Sequence, residues 1–262
     1  MDSKYEKIHN SVVTKGYYVG TFDDFFDDVT GITLDDFNRH AHTFIESGDR
    51  QDVGYVYRHN YIDQHTQNYL KNSKYNGPIP TEEDILDEIR ITNKQKRKDF
   101  IKSLQSTTSG IRTTQQWGRL ELGSFDGVDE SFRRRVRAME GFFRSFFKKF
   151  SAAIYPELNP ETCSTAYQFS LYENDDFSEV HYDGVNPTRV CVIIVYFSDP
   201  ETYNADCGGE LYIETTDKQV IEVKPVRGTY AVLDFTKFNL GHGIRAVGNN
   251  YKRFALQCFI GH

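Results

Sequence analysis

YQFSLY (Tyr167–Tyr172), VHYD (Val180–Asp183), RVCVIIVYF (Arg189–Phe197), GELYIE (Gly209–Glu214), VIEVKP (Val220–Pro225), TYAVLDF (Thr229–Phe235), GIRAV (Gly243–Val247) and KRFALQCFI (Lys252–Ile260) follow one another to the end of the chain. Each run is short and apolar, and most alternate in polarity. Turn-forming clusters cut them apart: Glu173-Asn-Asp-Asp176, Asp183-Gly-Val-Asn-Pro187, Ser198-Asp-Pro200, Cys207-Gly-Gly209, Thr215-Thr-Asp-Lys218 and Gly248-Asn-Asn250. Eight or so strands at this spacing are the pattern of an all-β sandwich or barrel, and a jelly roll is the natural candidate.

Within these runs His181 and Asp183 form a His-x-Asp pair. His242 follows about sixty positions on, and Arg253 shortly after it on a strand. Residues two apart on an extended strand put their side chains on one face, so His181 and Asp183 can serve one ion, with His242 brought in by the fold. Two imidazoles and one carboxylate bind one face of an octahedral Fe(II) and leave the opposite positions open. An isolated His in a β-rich segment is usually a surface or hydrogen-bonded core residue; the shared pattern reverses that reading for both.

Further landmarks fall into register with these. Tyr172 lies nine residues before His181, and Arg189 and Tyr196 bracket the most apolar strand. Gly208-Gly209-Glu210-Leu211, Pro225 with Gly228, and Arg253-Phe254-Ala255-Leu256 complete the set. Together these residues resemble the Fe(II)/2-oxoglutarate-dependent dioxygenase superfamily, most closely its prolyl 4-hydroxylase-like branch. The departures are Phe197-Ser198, where Leu-Asn is usual, and Gly243, where many members place Glu.

The resemblance implies a double-stranded β-helix (jelly-roll) core in the C-terminal part, with Fe(II) held by His181, Asp183 and His242. It also implies 2-oxoglutarate as cosubstrate, O2 as oxidant and ascorbate as a reductant. A fixed cation must meet the far carboxylate of 2-oxoglutarate. Arg253 suits this, because guanidinium stays protonated and makes a bidentate fork to carboxylate. Tyr196 and Tyr172 are expected in the same pocket, and Arg245, three residues after His242, at its rim or outside it. The implied reaction hydroxylates an aliphatic C–H of a small substrate such as a free amino acid, releasing succinate and CO2. Halogenating relatives lack the carboxylate, so Asp183 argues against halide transfer. A prolyl hydroxylase acting on a peptide or protein is the alternative. A non-catalytic jelly-roll metal-binding or sensing protein is disfavoured, because Arg253 and Tyr196 would then have no purpose.

Composition narrows the partners. The net charge of −7 argues against a nucleic-acid surface. No eighteen-residue apolar run occurs and the first residues are polar, so no membrane span or signal peptide is expected, and the cytoplasm follows. Cys163, Cys191, Cys207 and Cys258 lack metal-site spacing and are expected to be buried, reduced thiols.

A length of 262 residues fits one elaborated domain, mainly β with flanking helices. Residues 1–160 are expected to be mostly helical support and lid segments packed on a catalytic core at 161–262. Gly16–Phe22 suggests an opening strand, and DDFFDD after it a solvated loop and helix start. Helices are expected over Thr33–Glu46, with Thr33 as cap, over Thr81–Leu104, and over Asp129–Tyr155, ended by Pro156. The last of these carries an aromatic core stripe, with Arg133, Arg134, Arg135 and Arg137 mostly ion-pairing at the solvent side. His9, His40, His42, His59, His65 and His262 receive no ligand role. The irregular stretches Gln51–Pro80 and Ser106–Gly127 suggest a lid, and Trp117, Arg119 and Arg189 are the candidate substrate residues.

Overall fold

A computed structural model describes residues 3–50, 55–62, 89–90, 112–120, 128–173, 175–183, 188–248 and 251–262, with the backbone alone described over 55–62, 89–90 and 112–120. In chain order its elements are α1 (Ser3–Lys15), β1 (Tyr17–Thr21), a 3-10 turn (Phe22–Phe25), α2 (Leu34–Asp49), β2 (Tyr55–Ile62), β3 (Ile89–Arg90), β4 (Arg112–Leu120) and α3 (Glu130–Ile154). The C-terminal part adds β5 (Ser164–Glu173), β6 (Phe177–His181), β7 (Arg189–Tyr196), β8 (Leu211–Glu214), β9 (Val220–Val223), β10 (Thr229–Asp234), β11 (His242–Ile244) and β12 (Lys252–Gly261).

The strands pair in the order β1-β10-β7-β12-β5-β4-β6-β11-β8-β9, each neighbour antiparallel. β4 joins two layers: Gly118 pairs with Leu171 on β5, and Gln115 with Ser178 on β6. Side chains of β7 show how the layers face each other. Val192, Ile194 and Tyr196 pack inward with Leu211 and Ile213 of β8, while Cys191, Ile193 and Val195 pack outward against the helices. A strand buried on both faces needs apolar residues at every position, which explains the unbroken VCVIIVY run. This is the expected jelly-roll architecture, mainly β with few helices.

The helices cover the outer face. On α3, Phe132, Val136, Met139, Phe143, Phe146, Phe147, Phe150 and Ile154 form one buried stripe. Each such side chain contributes about 1.5–3 kcal/mol by leaving water. Asp129 caps the helix by accepting from Phe132 N at 2.8 Å. Of its basic run, Arg135 forms a two-pronged pair with Glu46 at 2.7 and 2.9 Å. Thr33 caps α2, accepting from Asp36 N at 3.1 Å and donating to the Asp36 carboxylate at 2.8 Å. We expect Thr33→Ala to destabilise the protein by about 1 kcal/mol, read as a lowered urea midpoint with an unchanged slope. A silent substitution would show that packing alone sets the helix start.

Several expectations are corrected here. α1 is a helix where the sequence suggests only a polar segment, because its buried stripe is limited to Tyr5, Ile8 and Val12. The DDFFDD cluster is solvated only in part: a 3-10 turn runs into it, and Asp23 and Asp28 are exposed. Phe25 is fully buried against Phe22, Phe37, Phe146, Phe150 and Tyr230. Its acids meet distant tyrosines: Asp24 accepts from Tyr230 at 2.9 Å and Asp27 from Tyr5 at 2.7 Å. Within the supposed irregular stretches, β2 and β4 pair from Tyr55↔Leu120 to Ile62↔Arg112. The Thr81–Leu104 helix lies outside the described residues except at Ile89–Arg90, which is a strand paired with β2. Residues 1–160 thus contribute strands as well as helices to the fold. The four cysteines are buried and free.

Candidate active site

His181 ends β6 and His242 opens β11, and the two are directly opposite in the antiparallel register. Their rings lie 4.5 Å apart, centroid to centroid. Asp183 sits just past the end of β6 rather than on the strand. Its carboxylate is 3.8 Å from His181 Nε2 and 3.4 Å from His242 Nε2. The three donor atoms lie within 4.8 Å of one another, the one such metal-competent trio found among the described residues. Octahedral bonds of about 2.1 Å place adjacent donors about 3 Å apart, so small side-chain movements close these distances onto one ion.

Both imidazoles are oriented for this. His181 Nδ1 lies 2.9 Å from Glu179 O, and His242 Nδ1 lies 3.0 Å from Leu240 O. A carbonyl only accepts, so each Nδ1 carries the proton and each Nε2 presents a lone pair to the centre. The Ser178 hydroxyl, 3.2 Å from His181 Nδ1, supports the same ring. Burial pushes the Asp183 carboxyl up, but the hydrogen bond from His242 and the nearby charges of His181, His242 and Arg189 outweigh it and hold it ionised. Burial likewise pushes His242 down, and Asp183 reverses this. A divalent cation would take the place of the proton that His242 shares with Asp183 here, leaving both Nε2 atoms and the carboxylate as its donors.

Arg253 defines the other wall of the cavity. It is fully buried. Its Nε donates to Gly209 O at 2.8 Å, and it lies 4.8 Å from the ring centroid of Tyr172 and 5.1 Å from that of Tyr196. Both Nη atoms, and the Tyr196 hydroxyl, are buried without a hydrogen-bond partner among the described residues. Burial pushes the Tyr196 hydroxyl up to about 12, and the neighbouring guanidinium pulls against that rise. Unpaired buried donors are costly, and a carboxylate ligand satisfies them. The same cavity is lined by Gln168, Ser178, Ile194, Gln257 and Phe259. Sequence reading missed these; counting alternate positions along β12 from Arg253 would have found Gln257 and Phe259.

The other candidates are placed as follows. Arg189 donates from Nη1 to the Asp183 carbonyl at 3.0 Å and stacks on Phe259 at 4.3 Å, tying Asp183 to the sheet. Arg245 is outside the cavity, paired with Glu222 at 2.8 Å and lying over Tyr212. Gly243 has a structural reason: a Cβ there would stand 2.4 Å from the Tyr212 hydroxyl, so that ring fills the place where a side chain would go. Trp117 and Arg119 lie on β4, whose Arg119 pairs with Ser170 two positions from Tyr172. Among the remaining histidines, His9 Nδ1 lies 2.8 Å from Ile154 O and His40 stacks on Phe142. His65 is outside the described residues.

The description of the 2OG-Fe(II) oxygenase superfamily matches residues 167–261. Residues 167–261 carry that superfamily's sequence pattern. Its enzymes work with Fe(II), 2-oxoglutarate and O2, and the match takes in His181, Asp183, His242 and Arg253. No curated protein matches the chain in sequence. Among solved structures, the fold is similar to a prolyl hydroxylase from Trichoplax adhaerens in complex with a peptide fragment of hypoxia inducible factor. Identity is 10%, covering 99% of this chain and 91% of that one, with a TM-score of 0.53. A dioxygenase for auxin oxidation from rice is similar at 9% identity, 98% and 77% coverage and a TM-score of 0.54. A putative oxygenase from Shewanella oneidensis is similar at 10% identity, 99% and 87% coverage and a TM-score of 0.50. Among the described residues no helix is long and apolar enough to cross a membrane.

Proposed function

We propose that this superfamily member hydroxylates an aliphatic C–H of a small polar substrate, such as a free amino acid. The observation that carries the reading is the pairing of a metal-competent trio with a fully buried guanidinium whose two Nη atoms lack a partner among the described residues. His181, Asp183 and His242 are the residues that hold Fe(II). When bound, the iron supplies O2 activation, with 2-oxoglutarate oxidised to succinate and CO2 and one oxygen atom delivered to the substrate.

The chain's own residues do the rest. Arg253 fixes the far carboxylate of 2-oxoglutarate, with the Tyr196 hydroxyl as a second donor and Tyr172 as a wall. Arg189 holds the Asp183 backbone and faces the substrate side with Phe259. Trp117 and Arg119, on the strand beside β5, contribute to substrate choice. A peptide substrate is the second reading, supported by the prolyl 4-hydroxylase-like motifs and by the similarity to a prolyl hydroxylase solved with a peptide.

A screen of free amino acids and proline-containing peptides, scored by succinate release, tests the two readings against each other. With the substrate found, we expect one 2-oxoglutarate consumed per hydroxylated product and an oxygen atom from labelled O2 in that product. Added chloride is expected to yield no halogenated product, because Asp183 fills the third protein position. Chlorine in the product of the unaltered enzyme would refute the assignment of Asp183.

A further inference from the structure

We propose that the Gly208-Gly209 turn is a positioning device that aims the Arg253 guanidinium, so that it takes a carboxylate end-on through Nη1 and Nη2. The proposal rests on the reading of Arg253 as the cosubstrate cation and adds to it the part that sets its direction. A guanidinium can fork a carboxylate through Nε with one Nη, or through its two Nη atoms. Here the first mode is closed, because Nε already donates to Gly209 O at 2.8 Å. Tyr172 and Tyr196 lie against the group at 4.8 and 5.1 Å. What is left for a ligand is the Nη edge, and both of its nitrogens are buried without a partner among the described residues.

The carbonyl reaches Nε only because two glycines stand in succession. Gly208 has φ +60° and Gly209 φ +78°, conformations that other residues adopt at a cost. Space is closed to a side chain at Gly208 and tight at Gly209. A Cβ on Gly208 would lie 2.1 Å from the Ala246 carbonyl oxygen, and one on Gly209 would lie 3.1 Å from Arg253 Cδ and 3.0 Å from Val247 Cγ2. The turn is held on its far side by the Gly208↔Val247 bridge and by the Gly248 N–H donating to Cys207 O at 2.7 Å. Backbone fixed by one loop therefore dictates the direction of a charge on another strand. Gly209 is a positioning residue in this scheme and touches no ligand itself.

The test compares two keto acids on the Mn(II)-loaded full-length protein by calorimetric titration: 2-oxoglutarate, and pyruvate, which lacks the far carboxylate. Gly209→Ala should weaken 2-oxoglutarate binding by about tenfold or more, equivalent to about 1.4 kcal/mol, and leave pyruvate and Mn(II) binding unchanged. Arg253→Lys keeps the cation but has no Nε to anchor, so it should show the same selective loss even if Gly209→Ala fails to fold. Equal weakening of both keto acids by Gly209→Ala would mean a merely structural role and overturn the proposal. So would Arg253→Lys binding 2-oxoglutarate as the unaltered protein does. If Arg253→Leu itself leaves 2-oxoglutarate binding intact, the cosubstrate reading of Arg253 fails instead, and the positioning role falls with it.

Discussion

His181→Ala and His242→Ala are each expected to abolish the weak visible absorption that forms when Fe(II) and 2-oxoglutarate are added to the protein without oxygen. That band requires a keto acid chelated to iron, and chelation requires a protein face of three donors that leaves two adjacent positions open. The two histidines are a direct cross-strand pair, each ring held by a backbone carbonyl behind it. Removing either leaves one imidazole and one carboxylate, too few for a stable centre. Asp183→Gly should also lose hydroxylation. A gain of halide transfer would be weak, because an ion in the vacated position needs donors beyond the ligands themselves. The folded state should survive all three changes, since none of these side chains belongs to either main apolar cluster. Unchanged bands and iron affinity in both histidine variants would refute the ligand assignment.

The C-terminal half was legible because its code is local. Alternation, turn residues and the ligand spacing each act within a few positions, and β5 to β12 follow them closely. β7 shows the gain and the limit of that reading. Its apolar run marks a strand buried on both faces, yet only the fold shows that Tyr196 points inward and Phe197 outward. The N-terminal half was legible where a cap and a stripe coincide, as in α2 and α3. It was not legible where partners are remote. Arg112–Leu120 is polar and carries no clear period, and it is a strand because β2, β5 and β6 supply its neighbours. Of the acids after β1, Asp24 and Asp27 are held by Tyr230 and Tyr5, donors that lie far from them in sequence.

The candidate site divides in the same way. The donor residues were visible as types at a spacing, but their orientation was not. Ser178, Glu179 O and Leu240 O, which turn the imidazoles, are ordinary residues or backbone atoms with no signature. The rivalry between Arg245 and Arg253 could not be decided by distance along the chain. It is decided by burial, for Arg245 stands at the surface with Glu222 while Arg253 is enclosed between two tyrosines.

Arg253→Leu is expected to weaken 2-oxoglutarate binding by roughly 2–4 kcal/mol, because a carboxylate would then enter a dry pocket without its charged partner. That corresponds to an increase in Kd from about 30-fold to several hundred-fold. Iron binding should be nearly unaffected, since Arg253 touches none of the three metal-site side chains by hydrogen bond. Stability of the ligand-free protein supplies an independent sign. A buried guanidinium with two unpaired nitrogens is an uncompensated cost in the absence of ligand, so the melting temperature of the Leu variant should hold or rise. The unaltered protein should gain stability as 2-oxoglutarate is added to the metal-loaded form, and the variant should lose most of that gain, because a ligand stabilises only through its affinity for the folded state. Arg245→Leu should change neither quantity. If Arg245→Leu instead weakens the cosubstrate while Arg253→Leu is silent, the role passes to Arg245, and the buried nitrogens of Arg253 would then need another anion to account for them.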